Sequence, residues 1–326
     1  MRPVNHNLYI SPDARVLCGG KKMKCIVPLA RGGGYDKSVN RTPLFASIAG
    51  KPLLGHLIDQ LLVLKPQEVV FILGKSDQER IIKYISDSYS FPSRFVYQKQ
   101  SKGSAHAIYG AKEFVDGPAV ILFGDTFFED GLKEVSKVDG DALIWTSQVD
   151  DPRKLGVVFA DKGVATRLIE KPDDPISTEA MIGLYFVKDA KGLFDAISYL
   201  FDHDIKTKGL FTLTNALQVM IDRKATVLVR QAKDWIDADH DDGLFSLSAK
   251  ILSKEKKSLS KVQDAAIIQP VYIGKDVLVR NAVIGPNVSI ADGATVSGSV
   301  ISDSIIGLSS SVSDERLEFS VIGEGA

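Results

Sequence analysis

Cysteine is nearly absent from this 326-residue chain, with only Cys18 and Cys25 present. Two thiols are too few for a disulfide framework or a cysteine-rich zinc site. Net charge is nearly absent as well. Forty lysines and arginines stand against forty-one aspartates and glutamates, leaving −1 at pH 7. Without a net basic field to hold a phosphate backbone, nucleic acid is not an expected partner. No apolar run approaches the roughly 20 residues of a membrane-spanning helix, so no membrane partner is expected either. The five histidines (His6, His56, His106, His203, His240) all precede residue 266. What remains is ordinary globular composition, 44% apolar and 25% charged. The length suits one large domain, or one large and one small. A soluble, cytoplasmic protein is expected.

Residues 1–22 are mixed and polar, without the apolar core of a secretory signal. They read as an N-terminal extension, and regular patterning starts at Met23. From there short apolar runs alternate with helical spacing. Strands are expected at Cys25 to Leu29, Val69 to Leu73, Phe95 to Gln98 and Ala119 to Phe123. Helices are expected at Pro52 to Leu64, Gln78 to Ser86 and Ala105 to Phe114. This alternation predicts an α/β fold, a mostly parallel Rossmann-like sheet with helices on both faces. Such sheets bind ligands beyond the carboxyl ends of their strands. Between 142 and 234 the pattern is less regular. Strands are expected around 155–159, 165–169, 182–187 and 226–229, with helices at 193–200, 213–221 and 243–252. This first domain spans 23–252, and the charged, serine-rich stretch of 253–265 reads as a linker.

The remainder, 266–326, changes character. Ile284, Ile290 and Val296 are spaced by six, as are Ile273 and Val279 one register off. Ile-Gly recurs at 273–274, 284–285 and 306–307. A six-residue period suits a short left-handed β-helix, whose few rungs bury little alone and so dock or self-associate. A small sheet with glycine turns is the plainer alternative.

Four local features could carry chemistry. Arg31-Gly32-Gly33-Gly34 follows the first strand, and glycines there let backbone N–H groups approach phosphate. It is neither a P-loop nor G-x-G-x-x-G, and a flexible turn is the alternative. Asp125 ends the apolar strand VILFGD, where it can hold Mg²⁺ beside a phosphate or simply cap a turn. Asp237 lies among five aspartates from 234 to 242, whose spacing does not match a calcium loop. Glu170-Lys171 pairs a carboxylate for sugar hydroxyls with an ammonium for phosphate, or forms a surface ion-pair turn.

In combination, from Met23 to the end, the chain resembles the sugar-1-phosphate nucleotidyltransferases. IVPLA-RGGG is similar to that family's opening strand and glycine loop, IAGKPLL (48–54) to its AGKP segment, and YQKQSKGSAHAI (97–108) to its base-reading segment. VILFGD resembles the metal-aspartate strand, RLIEKP (167–172) the sugar-phosphate segment, and IGLYFV (182–187) the sugar-facing strand. GLFTLTNAL (209–217) and DWIDADHDDGL (234–244) resemble G-E-x-x-L-T-D-A-L and W-x-D-x-G-T, and a hexapeptide tail is a common appendage. The resemblance implies transfer of a nucleotidyl group from a nucleoside triphosphate, UTP or dTTP by the Q-x4-G-S-A-H-A spacing, to a glucose-1-phosphate-like sugar. It implies Mg²⁺ as cofactor, held by Asp125 and Asp237, with Lys171 and Lys37 also catalytic. It assigns Leu29, Ala30, Gly32, Gly33, Gly34, Gln98, Gly103 and Ser104 to the nucleotide. Gly124, Glu170, Lys171, Gly183 and Tyr185 go to the sugar. A homo-oligomer is implied through the tail.

The sequence departs from the family at the loop, where G-x-G-T-R becomes GGGYDKSVNRTPLFAS and Asp36 takes the arginine's place. Lys37, Arg31 or Arg41 would have to compensate. Asp239 and His240 replace the G-T after the second aspartate. The alternative is therefore a weak or inactive homologue that binds sugar nucleotide as a regulatory or partner subunit. Acyl transfer by the tail is disfavoured, because such enzymes generally use a histidine and the tail has none. His106 reads as a helix-packing residue.

Overall fold

The computed structural model describes residues 17–18, 21–29, 43–129, 132–239, 241–255 and 262–326. The chain begins with β1 (Leu17–Cys18), β2 (Lys21–Lys22) and β3 (Lys24–Pro28), followed by β4 (Ser47–Ile48) and β5 (Lys51–Pro52). Next come α1 (Leu53–Leu62), β6 (Val69–Leu73), α2 (Gln78–Ser88), β7 (Ser93–Tyr97), α3 (Ser104–Tyr109), β8 (Ala119–Leu122) and β9 (Thr126–Glu129). The middle holds β10 (Ala142–Gln148), β11 (Gly156–Asp161), β12 (Val164–Glu170), β13 (Glu179–Val187), α4 (Ala190–Asp202), α5 (Leu213–Asp222), β14 (Val227–Gln231), β15 (Lys233–Asp237) and α6 (Asp241–Lys254). Contacts divide the chain into two compact units. One gathers the described residues of Met1–Gly32, Leu61–Leu122 and Asp130–Gln231; the other those of Gly33–Gln60, Phe123–Glu129 and Ala232–Ala326.

The first unit is an α/β sheet of nine strands in the order β10-β14-β12-β11-β13-β8-β3-β6-β7. β8, β3, β6 and β7 run parallel, which suits their unbroken apolar texts: every residue of β6 and β8 is buried. β13 enters antiparallel beside β8 and also pairs β10, with a bulge between Ile144 and Thr146 opposite the Gly183 stretch. The parallel order expected from the first half of the sequence thus holds for that half; beyond it β13, β11, β12 and β14 pair antiparallel in turn, and β10 runs parallel to β14. β10 was not expected; its ALIWT run is fully buried, down to Trp145 and Thr146. At the N-terminus, patterning begins before Met23, because β1 and β2 form a two-residue hairpin pair.

The second unit is built on the tail. Its strands are β16 (Val262–Ile267), β17 (Val271–Ile273), β18 (Leu278–Ile284), β19 (Val288–Ile290) and β20 (Thr295–Ser297). They continue as β21 (Val300–Ser302), β22 (Ile305–Ile306), β23 (Ser311–Ser313), β24 (Arg316–Glu318) and β25 (Val321–Ile322). Every pairing among them is parallel, Val262 on Val279, Ile273 on Ile290 and Val296 on Val312 among others. This is the stacking of a β-helix. The stack starts at Val262, inside the stretch expected to be a linker, and α6 runs on to Lys254. Its core is a column of small β-branched residues including Ile273, Val279, Ile284, Ile290, Val296, Ile301, Ile306 and Val312, each at most 3% exposed.

One outward face of the stack is covered by the unit's own elements. Ser289, fully buried, accepts from Ala49 N (3.0 Å) and donates to Ser47 O (2.9 Å). The turn it holds joins β4 to β5, and Ala49 and Gly50 both have positive φ. A Cβ on Gly50 would lie 2.2 Å from Tyr272 Oη. His56 in α1 bonds Ile48 O at 2.9 Å, tying the first helix to the same hairpin. The short stack thus docks within its own unit.

Candidate functional site

In the second unit, Asp125 and Asp237 come together through strand pairing. β9 runs antiparallel to β15, with Asp237 opposite Thr126, and Ala238 N donates to Asp125 O at 2.8 Å. Thr126 Oγ1 donates to Asp125 Oδ1 (3.2 Å), and Asp239 N donates to Asp237 Oδ1 (2.9 Å). Both carboxylates are half-buried. Gly243 in α6 sits so close that a Cβ there would meet Asp237 O at 1.7 Å. Gln60 of α1 secures β9 by accepting from Phe128 N (3.1 Å). The two carboxylates, one just before β9 and one in β15, are hard oxygen donors of the kind a divalent cation such as magnesium takes, with water and phosphate completing its shell. Among the described residues there is no group of three or more histidine, cysteine or acidic side chains able to hold a metal by themselves.

In the first unit, two remote segments interlock. Phe211 N donates to Lys102 O (2.9 Å), and Ala105 N donates back to Phe211 O (3.0 Å). Gly103, at φ +108°, lies over that main chain, and a Cβ there would meet Phe211 O at 2.2 Å. Ser104 Oγ accepts from Leu213 N at 2.9 Å. The base-reading segment and GLFTLTNAL, far apart in sequence, are therefore one structural piece. Gln98, just after β7, is 8% exposed, and its Nε2 donates to His106 Nδ1 at 2.9 Å. His106, expected to pack its helix, does lie against the Phe201 ring, 6.0 Å between centres, and its ring also holds the glutamine amide.

Glu170 ends β12, and its carboxylate accepts a hydrogen bond from Thr214 Oγ1. Gly156 and Met181 close round the same pair: a Cβ on Gly156 would lie 2.1 Å from Met181 Cε and 3.2 Å from Glu170 Oε2. Lys171 is exposed, at φ +42°, with its N–H on Leu155 O (3.0 Å). Gly183 has φ +83° at the bulge in β13, Tyr185 is 6% exposed beyond it, and Gly124 is buried. Leu29 is buried and bonded to Ile72 O (2.8 Å). Ala30, Gly32, Gly33, Gly34 and Lys37 lie outside the described residues, as does the rest of the glycine loop.

Sequence reasoning did not reach Thr214, Gly156, Met181 or Gly243. Thr214 lay within a quoted motif, but nothing in its spacing pointed to Glu170. The glycines show their role only through what a Cβ would strike.

The nucleotidyl transferase family's sequence pattern matches residues 38–254. A bifunctional protein GlmU from Methanococcus maripaludis is 27% identical over 277 residues, covering 84% of this chain; the chain spans 62% of that relative's length. A low-salt glycan biosynthesis nucleotidyltransferase, Agl11, from Haloferax volcanii is 29% identical over 316 residues, covering 86% of this chain and 85% of its own. A glucose-1-phosphate thymidylyltransferase from Streptomyces griseus is 26% identical, covering 92% of each. The fold is shared with a UDP-glucose pyrophosphorylase solved with UDP-glucose (TM-score 0.59, 19% identity, 72% of this chain and 100% of that one). With a family pattern spanning most of the α/β region, the chain belongs to the nucleotidyl transferase family.

Proposed function

We propose that this chain transfers a nucleotidyl group from UTP or dTTP to a glucose-1-phosphate-like sugar, giving a nucleoside diphosphate sugar and pyrophosphate. The observation that carries this reading is the main-chain pairing that sets Asp125, just before β9, beside Asp237 of β15, in a chain of this family. The sugar phosphate's oxygen attacks the α-phosphorus in line, the bond to the β-phosphate oxygen breaks, and pyrophosphate leaves. Little covalent work falls to the protein, so positioning and charge neutralisation dominate. Mg²⁺ held by Asp125 and Asp237 would neutralise the triphosphate. Lys171, exposed at the end of β12, binds the sugar phosphate. Glu170 accepts a sugar hydroxyl while Thr214 keeps its carboxylate oriented. Gly183 lets the ring approach the main chain, and Gln98 with Gly103 meets the base. Leu29, Ser104 and the glycine loop, with Lys37 replacing the missing arginine, take the rest of the nucleotide. Gly124 and Tyr185 complete the sugar side.

We further assign the protein to the cytoplasm as a homo-oligomer. In support, no described helix is long and apolar enough to cross a membrane, and the β-helix exposes Leu278, Val300 and Phe319. The second reading, binding without turnover, is favoured by Asp36 alone: an aspartate at about 4 Å from a phosphate charge costs about 1–4 kcal/mol. Pyrophosphorolysis of UDP-glucose and dTDP-glucose by wild-type, Asp125→Asn and Asp237→Asn protein tests the proposal. Activity lost in both variants supports it, and activity unchanged in Asp125→Asn removes it.

A further inference from the structure

Gln98 carries an amide whose two ends are opposite in hydrogen-bonding character. Uracil and thymine present an N3–H donor beside the O4 acceptor, whereas cytosine presents an N3 acceptor beside its amino donor. A glutamine free to rotate by half a turn meets either pattern equally well, because its NH₂ and C=O simply exchange places. Discrimination therefore requires something that holds the amide in one orientation.

The structure supplies such a holder. The amide nitrogen of Gln98 lies 2.9 Å from His106 Nδ1, and an amide nitrogen only donates, so Nδ1 is the acceptor and the ring proton sits on Nε2. Gln98 is 8% exposed, leaving little water to replace the bond if the amide turns. The imidazole is itself confined, with the Phe201 ring centred 6.0 Å away. Burial, and the positive charge of Lys102, hold the His106 pKa below its usual value and favour the neutral acceptor form. With the ring proton on Nε2, a flipped amide would set its carbonyl oxygen against the Nδ1 lone pair.

We propose that His106 is a specificity-determining positioning residue, which fixes the orientation of the Gln98 amide and so makes the site select the uracil or thymine edge over cytosine. This rests on the reading of Gln98 as the base-contacting residue. His106 does not touch substrate itself; it acts through Gln98. An acceptor at the Nδ1 position is the required feature, and an aspartate side chain, whose carboxylate only accepts, can supply one there through Oδ1.

The test measures dissociation constants of UTP, dTTP and CTP, with Mg²⁺, for the full chain as wild type, His106→Leu, His106→Asp and Gln98→Ala. Thermal melting monitors folding, and the aspartate variant carries the test should the leucine variant not fold. Wild-type protein is expected to prefer UTP or dTTP over CTP. His106→Leu is expected to reduce that preference by about tenfold, the worth of one net hydrogen bond to a fixed partner. His106→Asp should keep most of it, which a merely space-filling role would not do. If Gln98→Ala abolishes the preference while His106→Leu keeps it, or His106→Asp loses it, the inference about His106 falls and the base-contact reading stands. If Gln98→Ala leaves the preference intact, the base-contact reading itself falls.

Discussion

Replacing Gly103 with alanine tests how the two remote segments of the first unit interlock. Gly103 has φ +108° with extended ψ (173°), a region that side chains essentially never occupy, at a cost of about 1–3 kcal/mol. The new Cβ would also lie 2.2 Å from Phe211 O and 2.8 Å from Phe211 N. Those atoms are main chain and cannot swing away like a side-chain tip. The turn must move off Phe211, breaking the reciprocal pair Phe211 N to Lys102 O and Ala105 N to Phe211 O. Each such bond is worth about 1 kcal/mol net. The expected loss is about 3–5 kcal/mol, a large part of the typical 5–15 kcal/mol of a folded domain. Thermal melting followed by far-UV circular dichroism should show Tm lower by roughly 10 °C. Weaker UTP binding should accompany it, since Gln98 and Ser104 flank the turn. A Tm within about 2 °C of wild type, with unchanged UTP affinity, would refute the packing of Gly103 on the Phe211 main chain.

Ser289→Ala should cost about 1–3 kcal/mol by urea titration, because it removes the partner of Ser47 O and Ala49 N in a half-buried turn. Ser313→Ala, on an exposed face of the same stack, should cost under about 0.5 kcal/mol in the same urea titration. His56 is half-buried, with its pKa held below the usual 6.5 mainly by desolvation. The unfolded chain therefore binds its proton first, so this stability is present above pH 6.5 and is lost as pH falls toward the folded-state value. His56→Gln should accordingly flatten the decline in Tm between pH 6.5 and 5 by part of its slope, His106 contributing the remainder in the same direction. Burial pushes the Cys25 thiol up to about 12, so in a Cys18→Ser background iodoacetamide at pH 8 should label it only after denaturation.

Much of this architecture is legible in the sequence because local texts report burial. VVFIL is apolar at every position and forms the fully buried β6 over the expected residues, Val69–Leu73. The tail's periodicity was visible too, but its drift needs the stack to explain it. Successive coils advance by 17 residues, as from Ile273 to Ile290, and later by 16, as from Val296 to Val312. Steps of six are therefore interrupted by steps of five, which throws Ile273 and Val279 out of phase with Ile284. β9 and β15 escaped notice because they are short, partly exposed and bulged near Asp234, so their alternation is faint. Asp125, just before β9, and Asp237, in β15, are legible as candidate metal ligands through the family resemblance rather than through the strands beside them. Contacts such as Thr214 to Glu170 or Gln98 to His106 depend on which face meets which, and spacing along one segment does not encode that.

Nucleotidyl transfer at the Asp125–Asp237 pair is the central assignment. Pyrophosphate release by purified protein with Mg²⁺, across glucose-1-phosphate and related sugar phosphates paired with UTP, dTTP, CTP, GTP and ATP, tests this directly. Turnover is expected with UTP or dTTP and a glucose-like sugar phosphate, and its loss in Asp237→Asn. Silence across the whole grid, while UTP or UDP-glucose still raises the melting temperature, would contradict catalysis and leave a sugar-nucleotide-binding homologue disabled at Asp36.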